Sequence, residues 1–377
     1  MKRLLYIAIS SQTGGVPKHI LHGLQYAREH GYQVSVAVPD DGDYYPWFEE
    51  WAEDMVKIDL NPYSFRSLLK LKKYVKEHQI ALVHSHGKGA GMYARPLKVL
   101  CPGIKVVHTF HGIYVEKYRP LVKLFYKSIE RSLKYLSDAE ISVSQSEEME
   151  AKNLKFVLPE RSHVIPNGVD MKKFPEDPDG KHRHEVRKMM GWSDETYVIG
   201  CVARLEKMKG HQFLLDAYGK FQKDYPDSRL VLVGDGPDRA EIEQQIRELN
   251  LQASVIVTGF RHDIPDLLCA FDMFVSASLK EGMPFTLLEA LAAGKTVVAT
   301  NVIGNKDIIK DHANGLLTAP ESGWALYEGF IYAKEHQEEC RTWEKQGIQT
   351  IEDQFTIEQS MRRLFEVYDH LLGEKKV

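Results

Sequence analysis

The sequence contains few cysteines and no long hydrophobic run. Its four cysteines, Cys101, Cys201, Cys269 and Cys340, are far apart and form no CxxC pair, which argues against a zinc or redox motif and against a secreted disulfide scaffold. The apolar run 4–9 is too short for a signal peptide, and no stretch approaches the ~20 apolar residues of a transmembrane helix. We therefore expect a cytoplasmic protein whose membrane contacts are peripheral.

An excess of positive charge is also missing. Lys and Arg total 49 against 53 Asp and Glu, which gives a net charge of -4, so the chain has no general footprint for nucleic acid. The phosphate-loop pattern GxxxxGK[ST] does not occur, and the Gly-Asp-Gly run at 234–236 lacks the last glycine of the dinucleotide fingerprint. These absences exclude a P-loop enzyme and make nicotinamide binding a poor interpretation.

The chain does contain two series of short apolar strands separated by helical patterns. Runs rich in Val and Ile recur over 4–143 and again over 197–299, and a polar, Pro- and Gly-containing stretch at 165–195 separates the two series. This alternation predicts parallel βαβ units. We predict an α/β protein of two doubly wound Rossmann-like domains facing each other across a cleft. Their predicted bounds are 1–165 and 166–354, with a C-terminal helix at about 355–377 that packs back onto the first domain.

Two carboxylates flank the start of a predicted helix in the second series. Glu281 precedes this helix and Glu289 lies within it, while Pro284 suits its first turn and Gly294 its end. The helix amino terminus offers backbone N–H groups and a positive dipole to a phosphate, and the carboxylates can accept hydrogen bonds from sugar hydroxyls. From these residues alone, an equally good interpretation is that both carboxylates complement the helix dipole.

Two further loops carry groups that suit a phosphate. Arg204 and Lys209 stand between a strand and a helix, where a guanidinium and an ammonium together neutralise a diphosphate. An isolated pair of this kind is more often surface charge. Gly14 and Gly15 follow the first strand, and the missing Cβ lets the backbone approach a ligand closely.

Taken together, these motifs resemble the retaining family 4 glycosyltransferases. Glu281 and Glu289 match the family's Glu-x7-Glu signature, and the similarity extends from residue 4 to about residue 318. The other motifs stand in the family's order, namely Gly14-Gly15, the Pro-Asn-Gly-Val-Asp run at 166–170, Arg204 with Lys209, the Gly-Asp-Gly-Pro run at 234–237, and Gly259-Phe260. The resemblance implies the GT-B fold, with the nucleotide sugar held mainly by the second domain and the acceptor by the first.

The resemblance also implies a role for each matching residue. Arg204 and Lys209 would stabilise the departing diphosphate, and His111 would stand beside the reacting sugar carbon. Glu281 would bind donor-sugar hydroxyls, and Glu289 would hold the nucleotide ribose. Arg204, Lys209, Glu281 and His111 are thus the predicted catalytic residues. The other predicted donor-binding residues are Gly14, Gly15, Gly259, Phe260, Arg261, Gly282, Met283, Pro284 and Phe285.

Three more histidines and one departure from the family pattern accompany these residues. We expect His108 to be a buried strand histidine, whereas His84 and His86, at the end of another strand, either face the acceptor or pack in the core. Many family members carry Gly-Gly where this chain has Gly304-Asn305. That departure leaves the local turn open but touches no predicted catalytic residue.

The implied activity is transfer of a sugar from a nucleotide diphosphate sugar to a hydroxyl of a lipid-linked saccharide, with retention of anomeric configuration. UDP is the expected nucleotide from its frequency in the family, the expected pathway is bacterial capsular or other surface polysaccharide synthesis, and no cofactor, metal or nucleic acid is expected. Two alternatives stay open. One is a GT-B isomerase such as a hydrolysing 2-epimerase, and the other is a nucleotide-sugar-binding protein without turnover.

Two predicted helices of the first domain are basic. One carries an apolar stripe beside a basic one, formed by Val122, Phe125, Ile129, Leu133 and Leu136 and by Lys123, Lys127, Arg131 and Lys134. The other carries Arg66, Lys70, Lys72, Lys73 and Lys76. Such surfaces suit anionic lipid headgroups and a lipid diphosphate acceptor at the inner face of the plasma membrane. Packing of the apolar stripe on the sheet, with solvated lysines, explains the pattern equally well.

Overall fold

A computed structural model gives the architecture, and it describes residues 2–174, 177 and 179–373. The chain forms two compact units, Met1–Asn167 with Ile357–Val377, and Gly168–Thr356. Part of the predicted linker (175, 176 and 178) and the last residues of the predicted C-terminal helix (374–377) lie outside the described residues.

The described part of the first unit contains a parallel seven-stranded sheet in the order β3-β2-β1-β4-β5-β6-β7. Its strands are β1 Lys2–Ile7, β2 Tyr32–Val38, β3 Asp54–Lys57, β4 Leu82–His86, β5 Lys105–Thr109, β6 Ala139–Ser142 and β7 Ser162–Val164. Its helices are α1 Gly15–Glu29, α2 Tyr45–Trp51, α3 Phe65–Glu77, α4 Gly87–Leu100, α5 Pro120–Leu133 and α6 Gln145–Leu154, joined later in the chain by α15 Ile357–Leu372.

Successive side chains of β1 pack into two different clusters, which shows that this sheet is covered on both faces. Leu4 and Tyr6 belong to one buried cluster, whereas Leu5 and Ile7 belong to another. Successive side chains of a strand point to opposite faces, so a continuous apolar run predicts a strand buried on both sides. The cluster around Tyr6 includes Tyr368 of α15, so residues far apart in the sequence share one core.

The described part of the second unit contains a parallel six-stranded sheet in the order β10-β9-β8-β11-β12-β13. Its strands are β8 Tyr197–Val202, β9 Ser228–Val233, β10 Val255–Gly259, β11 Met273–Ser276, β12 Thr296–Thr300 and β13 Leu316–Thr318. Its helices are α7 Lys181–Met189, α8 His211–Asp224, α9 Arg239–Glu248, α10 Ile264–Ala270, α11 Phe285–Ala292, α12 Asn305–Ile308, α13 Gly323–Glu335 and α14 Gln337–Gln354.

The predicted α/β class with two Rossmann-like sheets is confirmed. The predicted helix over 121–136 ends at Leu133 and continues as a 3-10 turn, Lys134–Leu136. Most of the predicted site residues lie at the carboxyl ends of the strands or in the loops that follow them, at β8, β10 and β11 in the second unit and at β1 and β5 in the first. Gly15, Phe285 and Glu289 lie in the helices that come next.

Candidate active site

The loop after β8 carries Arg204 and Lys209 at the carboxyl end of the second sheet. A 3-10 turn, Lys207–Lys209, leads into Gly210, whose φ is +66°. A Cβ at position 210 would collide with the carbonyl oxygen of Ala277, which follows β11. The glycine therefore permits the close approach that brings the loop after β8 against the end of β11.

Lys209 and Glu281 are brought together by this approach. The Nζ of Lys209 lies 2.6 Å from Oε1 of Glu281, and the two side chains are only 18% and 8% exposed. The hydroxyl of Ser278 donates to the same carboxylate oxygen at 2.6 Å. Because little water screens them, such partly buried charges interact more strongly than a surface pair. Arg204 is exposed and forms no ion pair with another described residue.

The segment 281–285 leads from this ion pair into α11. Pro284 is the residue before the helix, with φ -74° and ψ 122°, so the helix begins at Phe285. The first backbone N–H groups of a helix have no partner within it. Glu289 stands in the second turn and is buried, as are Met283 and Phe285. The segment thus places the amino terminus of α11 beside an ammonium and two carboxylates.

Gly304 and Asn305 fix the loop that follows β12 against this segment. Gly304 has φ +87°, and a Cβ there would lie 2.7 Å from the Cβ of Glu281. The buried Asn305 amide donates to the carbonyl of Thr300 at 3.1 Å and to the hydroxyl of Ser276 at 3.3 Å. The departure from the family's second glycine therefore supplies hydrogen bonds that hold the loop in place.

Gly259, Phe260 and Arg261 form the end of β10 and the loop after it. The carbonyl of Gly259, at φ +73°, accepts from the N–H of Gly234 at 2.9 Å. Phe260 is 40% exposed. Arg261 donates from Nε to Asp263 at 2.7 Å, and this carboxylate raises the pKa of Arg261. The guanidinium is thus engaged in its own loop, whereas the ring of Phe260 is accessible to a flat ligand.

Gly14 and Gly15 lie where α1 begins, in the first unit. Gly14 is the residue before the helix and has extended backbone, with φ 163° and ψ 177°. A Cβ at Gly14 would meet nothing closer than Pro17, at 4.0 Å. Unlike Gly304, Gly14 is therefore not required by the fold, and its predicted contact with a phosphate stays a prediction.

His111 lies in the loop after β5 and has left-handed backbone, with φ +57°. The following residue, Gly112, donates its N–H to the buried carboxylate of Glu147, which also accepts from the N–H of Val143 at 2.7 Å. Helix α6 therefore anchors this loop. Burial is the main cause that lowers the pKa of His111 well below its usual value, so the imidazole is neutral near pH 7.

Two other buried histidines surround His111. Its ring centroid lies 5.4 Å from that of His86 and 4.9 Å from that of His19, which meets it edge-on. The Nδ1 of His86 lies 3.2 Å from Nε2 of His111. His86 thus lies at the loop that carries His111, and His19 on α1 joins them, although no sequence pattern indicated this.

His84 and His108 lie deeper and pack between strands and helices. His84 contacts the hydroxyls of Thr109, at 2.7 Å, and Tyr368, at 2.5 Å. The hydroxyl of Ser85 lies 2.9 Å from Nδ1 of His108. Both histidines are fully buried. The expectation that His108 is a buried strand histidine is confirmed, and for His84 the structure favours packing over contact with an acceptor.

Sequence comparison assigns both units to known families. Residues 13–173 match the family described as Glycosyltransferase Family 4, and residues 182–350 match the family described as Glycosyl transferases group 1. The chain belongs to the family 4 glycosyltransferases. The resemblance to this family, which was inferred from the sequence motifs, is therefore confirmed. The chain is an enzyme of the glycosyltransferase class.

Individual relatives of this glycosyltransferase include bacterial proteins named as glycosyltransferases. The UDP-Gal:alpha-D-GlcNAc-diphosphoundecaprenol alpha-1,3-galactosyltransferase of Escherichia coli is 33% identical over 257 residues, which cover 67% of this chain and 66% of the relative, just under two thirds of its length. The putative glycosyltransferase EpsD of Bacillus subtilis (strain 168) is 25% identical over 330 residues, 86% of either chain.

A solved structure supports the GT-B fold of this glycosyltransferase. The crystal structure of Anabaena Alr3699/HepE in complex with UDP and glucose superposes with a TM-score of 0.87 at 21% identity, covering 98% of this chain and 100% of that one. The resemblance at this identity concerns the architecture alone.

The glycosyltransferase exposes an apolar surface on α5, the helix with the predicted basic stripe. Leu121 is 82% and Phe125 68% exposed, and Val122 and Leu124 are also exposed. The side of α5 that faces inward instead carries Glu130, which is buried. The alternative in which the apolar stripe packs on the sheet is thus wrong for Val122 and Phe125. In the part of the chain that the structure describes, no helix has the length and hydropathy to cross a bilayer.

Several residues of the site were not predicted from the sequence. Ser278 hydrogen-bonds Glu281, Asn305 holds the neighbouring loop, and Glu147 anchors the loop of His111. Of these three residues, only Glu147 could have been found from the sequence, because the Ser-Gln-Ser-Glu run at 144–147 has the spacing of a helix capping box. The observed carboxylate accepts from the N–H groups of Val143 and Gly112.

Proposed function

We propose that this glycosyltransferase transfers a sugar from a UDP-linked donor to a hydroxyl of a lipid-linked saccharide, with retention of anomeric configuration. The observation that carries the proposal is the pairing of Lys209 with Glu281 beside the start of α11. It joins a cation and a carboxylate at the positive end of a helix dipole, and a sugar diphosphate requires such groups.

The chemistry needs stabilisation of the leaving group above all. In the proposed reaction the bond between the anomeric carbon and the diphosphate oxygen breaks, and the acceptor oxygen bonds to the same carbon. Negative charge grows on the departing diphosphate, which takes up the proton of the acceptor hydroxyl. Arg204, Lys209 and the N–H groups at Phe285 would stabilise this charge, since donors fixed in advance lower the barrier without reorganisation.

Residues of the second unit would contact each part of the donor in turn: the sugar, the ribose and the base. Glu281 would accept from sugar hydroxyls after Lys209 turns toward the phosphates, and Glu289 would hold the ribose. Phe260, exposed at the end of β10, offers a face for the base. UDP is proposed because the E. coli relative is named for UDP-Gal and the Anabaena structure contains UDP and glucose.

The proposed acceptor is a saccharide on a lipid diphosphate, used in synthesis of a surface polysaccharide. The E. coli relative is named for a GlcNAc-diphosphoundecaprenol acceptor, and an acceptor of this kind requires an enzyme that works at the cytoplasmic face of a membrane. The exposed Leu121, Val122, Leu124 and Phe125 of α5 suit the headgroup boundary, and Lys123 and Arg131 suit anionic lipids.

The transfer proposal is tested with purified enzyme and a set of UDP-, GDP-, ADP- and dTDP-sugars. A thermal-shift screen first identifies the donor, which should raise the melting midpoint of the wild type and not that of Glu289→Ala. Donor turnover is then measured with and without a short-chain lipid diphosphate saccharide, and the anomeric proton coupling of the product reports the configuration. Donor consumption without acceptor would instead support the 2-epimerase alternative, and binding without turnover the non-catalytic one.

The membrane proposal has its own test. Wild-type enzyme should sediment with vesicles that contain anionic phospholipid at moderate salt, and a Leu121→Ser, Leu124→Ser, Phe125→Ser variant should stay in the supernatant. Trp324→Ser is the matched control, because Trp324 is an exposed apolar residue of the second unit. Equal sedimentation of all three proteins would reject α5 as the contact surface.

A further inference from the structure

The three histidines around His111 carry an inference beyond sugar transfer. His19 of α1, His86 at the end of β4 and His111 after β5 each direct one ring nitrogen toward the others, and these nitrogens all lie within 4.8 Å of one another. The proposed transfer gives no role to His19 or His86. Their convergence from three separate elements therefore needs its own explanation.

The tautomer of His19 is set by its neighbour. Oδ1 of Asn167 lies 3.1 Å from Nδ1 of His19, and since a carbonyl oxygen only accepts, Nδ1 carries the proton and Nε2 presents its lone pair. That Nε2 is buried and has no hydrogen-bond partner in the described part of the chain. A ring N–H held by an oxygen, with the opposite nitrogen directed at other ligands, is the arrangement of a metal-binding histidine.

The other two histidines have the spacing of ligands to one ion. Nδ1 of His86 and Nε2 of His111 are 3.2 Å apart. Two nitrogens bound tetrahedrally at about 2.0 Å from a zinc ion are separated by about 3.3 Å. The rings of His19 and His111 meet edge-on at 4.9 Å, and the ligand nitrogen of His19 lies within 4.8 Å of those of His86 and His111.

The cluster is not sealed inside the first unit. His111 is only half-buried, so an ion has a path from solvent.

We propose that His19, His86 and His111 form a binding site for a divalent transition ion of the zinc class, with solvent in the fourth position. Three histidines and an open position suit this ion in charge, ligand type and geometry. If His111 stands beside the reacting sugar carbon in the proposed transfer, as the family resemblance implies, an ion that holds His111 also slows that transfer. That consequence alone rests on the proposed function.

The test measures metal binding on chelator-treated full-length enzyme in the absence of any substrate. Co²⁺ should bind with the visible absorption of a tetrahedral site, and X-ray absorption of the Zn²⁺ protein should show three imidazole ligands. Both readouts use the wild type, so they do not depend on whether a variant folds. An octahedral Co²⁺ spectrum, or fewer than two imidazoles on zinc, would overturn the proposal.

Variants then assign the ion to the cluster. Zn²⁺ competition against a chromophoric chelator should show affinity at least about tenfold weaker for His19→Gln, His86→Gln and His111→Gln, and about 10- to 100-fold weaker for Asn167→Leu, because partners of a ligand tune it. His312→Gln, whose histidine faces Glu339 on the surface of the second unit, is the matched control. Unchanged Zn²⁺ affinity in the three cluster variants, or an equal loss of affinity in His312→Gln, would contradict the assignment.

Failure of this proposal is distinguishable from failure of the proposed function. Zinc binding without any sugar transfer leaves the metal site standing and rejects the transferase assignment. Transfer that proceeds unchanged at zinc concentrations that fill the site contradicts only the inhibitory consequence.

Discussion

Lys209 and Glu281 form an ion pair across 72 residues of sequence, with 2.6 Å between Nζ and Oε1. The pair connects the loop after β8 to the loop after β11, and Ser278 donates to the same carboxylate oxygen. In the proposed reaction the ammonium leaves this carboxylate to meet the diphosphate, and the carboxylate then accepts from the sugar.

Replacement of Lys209 by Ala should therefore reduce turnover. Loss of one preorganised donor to a developing negative charge costs about 100- to 1000-fold in kcat, and we expect that range from initial rates of UDP release. Lys207→Ala is the matched control, because Lys207 on the same loop forms only an exposed pair with Glu241. Full turnover in Lys209→Ala would remove this residue from the catalytic group.

A Cβ at position 304 should destabilise the second unit. Gly304→Ala forces an alanine into φ +87° and within 2.7 Å of the Cβ of Glu281. A backbone conformation of this kind costs about 1–3 kcal/mol for a residue other than glycine, and the overlap adds to it. Urea unfolding should show a lower midpoint with an unchanged slope. An unchanged midpoint would mean that the loop after β12 relaxes without cost.

In contrast to Gly304→Ala, Gly14→Ala should leave the stability of the protein unchanged. The fold leaves 4.0 Å around a Cβ at this position, so the melting midpoint of the protein alone should stay within error of the wild type. If the backbone at Gly14 approaches the donor phosphates as proposed, the KM for the nucleotide sugar should rise. Gly31→Ala, at a positive φ and far from any predicted ligand contact, should instead lower the midpoint and leave KM unchanged.

The first unit should depend on a buried ion pair between α4 and α5. Arg95 donates to both oxygens of Glu130, at 2.8 and 3.3 Å, and both side chains are almost fully buried. Arg95→Met leaves a buried carboxylate without its partner, which costs about 3–5 kcal/mol of unfolding free energy. The double variant Arg95→Met, Glu130→Leu should regain most of this loss. If the single and double variants unfold at the same urea concentration, the destabilisation does not come from leaving the Glu130 carboxylate unpaired.

Glu140 should make stability fall as the pH rises. Burial raises the pKa of this carboxyl to about 8, and the nearby Arg95 offsets only part of that effect. The folded state then binds more protons than the unfolded state between about pH 4.5 and about pH 8, so the unfolding free energy decreases with pH over this interval. Glu140→Gln should flatten the dependence in urea titrations at about pH 5.5, 6.5 and 7.5, whereas the exposed Glu53→Gln should not. Parallel curves for wild type and Glu140→Gln would contradict the raised pKa.

The sequence was informative where one local pattern determines the structure. Strands buried on both faces read as continuous apolar runs, so the two strand series over 4–143 and 197–299 were predicted. The short edge strands β7 and β13 lie outside both predicted series, because three residues carry too little pattern. Lys209 and Glu281 were expected in one site because their strands end at the same edge of a sheet, and the ion pair bears out that they lie together.

The sequence was uninformative where a contact depends on packing between distant elements. His19 sits in an ordinary helical pattern, and only the arrangement of α1 against the ends of β4 and β5 brings it to His86 and His111. Asn305 replaces a glycine, and its hydrogen bonds to Ser276 and Thr300 become visible only once β11 and β12 are side by side. No spacing rule links such residues, so they are found only in the folded chain.

The place of α15 in the first core has a consequence for how the protein is made. Tyr368 lies between Tyr6 and His84, yet the ribosome adds it after the whole second unit, Gly168–Thr356. Domains generally fold as units while the chain is still growing, the earlier one first. Here the second unit is contiguous and is complete before α15 is made, so part of one face of the amino-terminal sheet stays uncovered until Tyr368 and its helix have been translated.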